Sequence, residues 1–322
     1  MTRCQCPEGG SSWCTTPETT TKKKKKKKKK KQQQQLKKKK KKLKKKKKKI
    51  NFPLFTLFDA LCLRFLSNSE VKRSCGLTCA GKMRAPLRWV LWDVKDTLLK
   101  VRLSVGEQYC KEAERMGLSL NPEEVTAAFH QVYRHYSSKY PNYGLAQGLN
   151  GQSWWIGVVR DTFSHCRVQD PSLLNTMAQK LYLNFSNAEN WEVFPDSVKA
   201  LESCTALGLK LGVVSNFDNR LETILRVCGL LPHFSFLITS EKAGVAKPTP
   251  AIFVQALQKC GVPAASIAHI GDHYVNDYLC SRSLGIHGFL LDRHNKNYPD
   301  VPQEHRLSSL EELPSRLQQH IS

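Results

Sequence analysis

Beyond residue 85 two kinds of apolar pattern alternate along the chain. One kind is a short continuous run. Arg88-Trp89-Val90-Leu91-Trp92, Leu209 to Val214, Phe234 to Thr239, Ile267 to Ile270 and Ile286 to Leu291 are each 4–6 residues long and rich in Val, Ile, Leu, Trp or Phe. Such runs predict strands buried on both faces. The other kind is helical: Pro195 to Leu207, Asn219 to Cys228, Pro250 to Cys260 and His273 to Leu284. Each is followed at once by a glycine, at 208, 229, 261 and 285, which suits a left-handed helix end. Strands alternating with helices predict an α/β fold, Rossmann-like, with a parallel sheet and helices on both faces.

One connection is too long for a simple crossover. Residues 104–190 read as helical throughout. Asn121 caps a helix that opens at Pro122, and Ser153 to Phe163 and Pro171 to Phe185 predict two more. The expected organisation is an α/β core from 86–103 and 191–322, with an all-helical segment, 104–190, inserted after the first strand. Residues 1–85 carry neither pattern.

Composition changes the picture mainly before residue 86. The formal net charge is +24, but lysine runs at 22–31, 37–42 and 44–49 supply 22 of the positive charges, so the remainder carries about +2. A lysine tract repels itself and stays disordered, and binds nucleic acid or acidic lipid only non-specifically. Its simplest reading is a homopolymer expansion or a mis-assigned first exon. Nothing in the nearly neutral remainder suggests a specific nucleic-acid partner. Ile50 to Leu66 is apolar but holds Pro53, Asp59 and Arg64 and falls short of the ~20 residues that span a bilayer, so no membrane role is expected. The 12 cysteines are scattered, and Cys75 and Cys79 lack the second pair of a zinc site. With no charged-then-apolar leader, the expected location is intracellular and reducing, most simply cytoplasmic.

Candidate chemistry gathers at the ends of the predicted strands. Asp93, Ser215 and Asp272 each stand at or just after the end of an apolar run, and Lys247-Pro248-Thr249-Pro250 lies between the second and third. Ligands in open parallel sheets bind at the carboxyl edge, where the strands would bring these residues together. The segments Asp93-Val94-Lys95-Asp96-Thr97-Leu98, Ser215-Asn216, Lys247-Pro248-Thr249-Pro250 and Gly271-Asp272 followed by Asp277 resemble, in this order, the motifs of the haloacid dehalogenase-like hydrolases.

The resemblance implies roles. Asp93 would be the nucleophile of a phosphatase, forming an aspartyl-phosphate. Mg²⁺ would be held by Asp93, the backbone carbonyl of Lys95 and Asp272, with Asp277 supporting it directly or through water. Thr97, Ser215, Asn216 and Lys247 would form the phosphate-binding set, with Ser215 donating to a phosphoryl oxygen. Lys247 would neutralise charge and keep Asp93 ionised. Lys242 is a competing lysine, but the two prolines beside Lys247 favour the latter by rigidifying its loop. Thr97 also suits the turn after the strand. His273, beside Asp272, reads as incidental. The inserted helices would act as a cap that closes over the site. There Tyr140, Asn142, Tyr143, Gln152, Trp154 and Trp155 are candidates for substrate contact, though Trp and Tyr in such a place more often build a core.

At Lys95 the chain departs from the family's phosphatases, which carry an aspartate two residues after the nucleophile, as general acid and then base. Lysine can donate a proton, but can act as a base only if its pKa is lowered. Asp96 stands where the family usually has glycine, and would need a loop shift to substitute. Three readings follow. The first is an unusual Mg²⁺-dependent phosphatase acting on a small phosphorylated metabolite. The second is a weak or inactive member that binds a phosphorylated ligand or protein partner. The third is a metal-free hydrolase of the 2-haloacid dehalogenase kind, which also lacks that aspartate. Gly271-Asp272 argues against the third, because its relatives usually lack that pair.

Overall fold

The computed structural model describes residues 85–296 and 298–321. The lysine tract, Ile50 to Leu66 and the Cys75/Cys79 pair lie outside the described residues. The sheet has six strands: β1 (Trp89–Trp92), β4 (Lys210–Ser215), β5 (Phe236–Thr239), β6 (Ile267–Gly271), β7 (His287–Leu291) and β8 (Arg306–Leu307). Their order is β5-β4-β1-β6-β7-β8, and every pairing is parallel. The chain builds outward from β1 through β4 to β5, then returns to β6 on the other side of β1. The switch point is therefore at β1, the strand that ends in Asp93.

Side chains alternate across the sheet, so each strand feeds two cores. Val90, Trp92, Leu211, Val213 and Ile270 pack with Ala200, Leu201 and Cys204 of α5 (Ser197–Ala206) and with Leu221, Ile224 and Leu225 of α6 (Leu221–Val227). Trp89, Leu91, Val214 and Ile267 face the other way, onto Ile252, Phe253 and Ala256 of α8 (Ala251–Cys260), which follows the short α7 (Ser240–Ala243). The five expected strands are all present. The four glycines after the helical patterns all have positive φ, from 65° to 79°.

The helical insertion comprises α1 (Val105–Glu114), α2 (Pro122–Lys139), α3 (Gly151–His165) and α4 (Pro171–Asn184). Asn121 Oδ1 accepts from the amides of Glu123 and Glu124, as its place before Pro122 predicts. These helices surround an apolar cluster of their own, built on Tyr109, Phe129, Trp154, Phe163, Met177 and Leu181. Sequence pattern missed the antiparallel pair β2 (Leu99–Val101) and β3 (Trp191–Val193), which brackets the insertion. At three residues each they are too short for a periodic signal. The expected helix from His273 to Leu284 is corrected. It is a π-helical turn, Tyr274–Leu279, followed by the short α9 (Cys280–Arg282). The wide turn carries Asp277 back under the end of β6, where its Oδ2 accepts from the His273 amide at 3.0 Å. Among the described residues no helix is long and apolar enough to cross a membrane.

Candidate active site

Parallel pairing brings the sequence candidates to one edge. Trp92 is in register with both Val213 and Ile270, and the Asp93 amide donates to Ile270 O at 2.9 Å. Asp93 thus stands beside Ser215, the last residue of β4, and beside the Gly271-Asp272 end of β6. Asp93 Oδ1 accepts from Ser215 Oγ at 2.9 Å and from Lys247 Nζ at 2.8 Å. Its Oδ2 has only a long contact, 3.4 Å, from Thr97 Oγ1.

Lys247 is buried and uses all three of its donors. Besides Asp93 it reaches Asp277 Oδ1 at 2.6 Å and Val214 O at 2.9 Å. Burial works against its charge, but Asp277 and Asp93 outweigh that and hold its pKa above the ordinary lysine range. Lys242 is exposed instead and pairs with Glu222, so of the two lysines only Lys247 reaches the site. Asn216 clamps the Lys247 backbone from both sides. Its Oδ1 accepts from Lys247 N and its Nδ2 donates to Lys247 O, each at 2.8 Å. The Asn216 side chain is therefore committed to positioning the lysine.

The carboxylates divide by environment. Asp277 is buried, which raises its pKa, but Lys247 and His269 overcome this and hold it well below the usual range. Asp93 is pushed up, by burial first and then by Asp277, against the opposing pull of Lys247. Asp272 is pushed up to about 7 by burial and by Asp93, Asp277 and Asp96. Asp93, Asp272 and Asp277 each offer an oxygen within 4.8 Å of the others. Two of the three have raised pKa values, chiefly through burial. Their hard oxygens suit Mg²⁺. The donor set thus fits the expected ion.

Glycine at 271 is required by packing. A Cβ there would lie 2.3 Å from Asp277 Cγ, so the Asp277 carboxylate occupies the space that any side chain would take.

Lys95 is half-exposed and its ammonium pairs with the Asp96 carboxylate. Burial pulls its pKa down, but Asp96 more than compensates and the net shift is upward. This is opposite to what a neutral lysine base requires. The Asp96 carboxylate, weighed as a substitute for the missing aspartate, is instead bound to Lys95. Asp96 has φ 63°, a conformation that favours glycine and that aspartate tolerates better than most.

Residues the sequence reading did not single out also shape the site. His269 is fully buried in β6, with Nε2 3.1 Å from Asp277 Oδ1. A histidine inside an apolar strand was the available signal. Arg293 grips Asp196 with both terminal nitrogens at 2.8 Å and donates to Thr97 O at 2.9 Å, bracing the loop after β1. His273 Nδ1 accepts from the Asn276 amide, a capping role that agrees with its incidental reading.

The aromatic candidates on the insertion separate. Trp154 is core, its Nε1 donating to Tyr140 O. Trp155 Nε1 donates to Asp218 Oδ2 at 2.8 Å, and Asn142 Nδ2 donates to Ser240 O at 2.9 Å. Both bind the sheet domain, not open space. Gln152 is exposed. Tyr143 is buried enough for its hydroxyl pKa to rise well above the usual value.

Comparison with known proteins defines the class. The description haloacid dehalogenase-like hydrolase matches residues 87–285, and the chain belongs to that family. It is 65% identical over 238 residues to haloacid dehalogenase-like hydrolase domain-containing protein 3 of Danio rerio, covering 73% of this chain and 98% of that protein. Among solved structures it is similar to a 2-haloacid dehalogenase from Pseudomonas syringae pv. Tomato DC3000. The TM-score is 0.55 at 20% identity, over 72% of this chain and 99% of that one. It is also similar to a HAD phosphatase from Thermococcus onnurineus, with a TM-score of 0.52 at 20% identity, over 73% and 100%. At such identities the likeness is one of fold. A dehalogenase and a phosphatase share it, so chemistry must be argued from the site.

Proposed function

We propose that the protein is a Mg²⁺-dependent phosphatase of small phosphorylated metabolites, working through an aspartyl-phosphate on Asp93. The observation that carries this is the Asp93–Lys247–Asp277 chain with Asp272 beside it: one buried ammonium, three convergent carboxylates and raised pKa values at two of them. Asp93, Asp272 and the Lys95 carbonyl would hold the ion, which supplies charge neutralisation for an incoming phosphoryl group. Both oxygens of Asp277 are already engaged, by Lys247 and His269 on one side and by the His273 amide on the other. Support through water therefore suits Asp277 better than direct ligation.

Asp93 Oδ2 is the less encumbered oxygen and attacks phosphorus as the ester P–O bond breaks. Ser215 and Lys247 fix Oδ1, so attack needs little reorientation. The leaving alkoxide takes a proton, which the Lys95 ammonium supplies in place of a carboxylic acid. Water then attacks the aspartyl-phosphate, the P–O bond to Asp93 breaks, and the proton lost by water returns to the neutral Lys95 amine, restoring the ammonium. An ammonium whose pKa is raised gives up its proton reluctantly in the first step, so turnover is slow.

A weak or inactive member that retains phosphorylated ligands is the second reading, favoured by the same upward shift at Lys95. A metal-free dehalogenase is disfavoured by the crowded carboxylates. Phosphate release from a panel of phosphomonoesters, with and without Mg²⁺, compares the parent with Lys95→Asp. Slow release by the parent, faster release by about 10²-fold or more in Lys95→Asp, and loss in Asp93→Asn support the proposal. An inert parent revived by Lys95→Asp selects the second reading. Mg²⁺-independent turnover in the parent defeats both.

A further inference from the structure

His269 lies deeper than the residues that face a substrate. It is in β6, between β1 and β7, and is fully buried. Its ring meets the edge of Phe253 with centroids 4.7 Å apart. Burial, with the charge of Lys247, lowers its pKa despite the pull of Asp277. Nε2 faces a carboxylate oxygen at 3.1 Å, so a proton sits there and is donated to Asp277 Oδ1. Nδ1 is then a bare acceptor, buried, with no hydrogen-bond partner in the structure.

An unpaired buried acceptor is costly. Leu or Phe would fill this apolar position without leaving one. The compensation is on the other side of the ring. Asp277 Oδ1 receives His269 at 3.1 Å and Lys247 at 2.6 Å, and Lys247 continues to Asp93 at 2.8 Å. Asp277 Oδ2 is held at 3.0 Å by the His273 amide. A carboxylate fixed at both oxygens cannot rotate, and a lysine whose far partner cannot rotate keeps its own place.

We infer that His269 is a positioning residue of the active site: by pinning Asp277 from behind, it holds the Lys247 ammonium at the nucleophilic carboxylate of Asp93. It touches neither substrate nor nucleophile and acts through two intermediates. The inference rests on the reading of Asp93 and Lys247 as the reacting pair for its kinetic arm, but not for its spectroscopic arm.

The test compares His269→Leu, which keeps bulk and removes the donor, with His269→Gln, whose amide reaches the place of Nε2. Groups of this kind typically contribute about 10–100-fold to activity. In the full chain, His269→Leu should lower kcat for phosphate release by about that factor with little change in KM, and His269→Gln should recover most of the loss. Independently of turnover, the ¹⁵N-ammonium signal of Lys247 should be sharp in the parent and in His269→Gln, and broadened by solvent exchange in His269→Leu. Melting temperatures of both variants separate positioning from unfolding. An unchanged Lys247 signal in a folded His269→Leu protein overturns the inference, whatever the turnover. So does a loss shared equally by Leu and Gln. If the parent releases no phosphate from any ester, the phosphatase reading fails while the ammonium signal still decides the role of His269.

Discussion

The Lys247 ammonium stands 2.8 Å from Asp93 Oδ1, a partner 154 residues earlier in the chain. The contact is buried on both sides and is shared with Asp277. An ion pair that has lost its water stabilises little by itself, because desolvation consumes most of the attraction. Breaking it from one side is different, since the remaining charge stays buried.

Lys247→Met should therefore destabilise strongly, by about 3–5 kcal/mol, in urea unfolding at neutral pH. The sign with pH is distinctive. In the parent Asp277 has a depressed pKa, so its contribution is present above the unfolded value near 4 and is lost as pH falls through the lower folded value. In Lys247→Met the uncompensated carboxylates have raised pKa values. That variant should become less unstable, relative to the parent, as pH falls toward 4. A parallel pH dependence in the two proteins would contradict the pairing.

Asp96 adopts φ 63° and pairs with Lys95 across a half-exposed surface. The pair contributes at most about 1 kcal/mol, and the left-handed backbone costs a similar amount for a residue with Cβ. Asp96→Gly should leave stability nearly unchanged, relieving one while losing the other. Asp96→Ala loses the pair and keeps the strain, so it should be less stable than Asp96→Gly by about 1 kcal/mol. Equal melting temperatures would show that this loop relaxes freely.

Asp93, Ser215 and Asp272 were legible because each closes an apolar run. A parallel sheet aligns strand ends whatever length of chain separates them. Lys247 was legible from the prolines after it. His269 was not, since a histidine within an apolar run carries no spacing rule and acquires meaning only when Asp277 folds back beneath it. The contact of Trp155 with Asp218 was invisible for a related reason. It joins residues 63 positions apart, and nothing in either neighbourhood marks the other. The family resemblance puts Asn216 in the phosphate-binding set, and only the geometry shows both of its amide atoms turned to the Lys247 backbone.

Where the helical insertion meets the sheet domain, Gly151 is tightly enclosed. Its amide donates to Glu241 Oε1 at 2.6 Å, while Glu241 Oε2 accepts from the Asn219 amide at 2.8 Å. A Cβ on residue 151 would lie 2.7 Å from Asp218 Cβ and 2.8 Å from Glu241 Oε2. The Asp218 carboxylate cannot swing aside, because Arg220 holds both its oxygens at 2.7–2.9 Å. Gly151→Ala should cost roughly 1–3 kcal/mol by overpacking. Amide exchange should also accelerate at residues 151 and 219 before the strands open. Uniform acceleration across β1 and β4 would place the damage in the sheet instead.

In the proposed function Asp272 would tie metal affinity to pH. Its carboxyl is raised to about 7 from an ordinary value of 3.8, chiefly by burial and then by Asp93. An unfolded chain gives up this proton near pH 4, whereas the folded one keeps it to about 7, so between those values the folded state binds more protons. Stability of the metal-free protein should therefore fall as pH rises from 4 to 7 and then level off. Asp272→Asn cannot ionise and should flatten that window, leaving the variant more stable than the parent at pH 8 in the presence of chelator. Added Mg²⁺ should reverse the order. The parent's carboxylate then has a cation to face, and its melting temperature should rise with magnesium concentration while that of Asp272→Asn barely moves. Because a proton competes with the ion, the magnesium-induced rise should shrink below pH 7. A parent whose melting temperature ignores magnesium at pH 8 would show that the crowded carboxylates are balanced by something other than a metal.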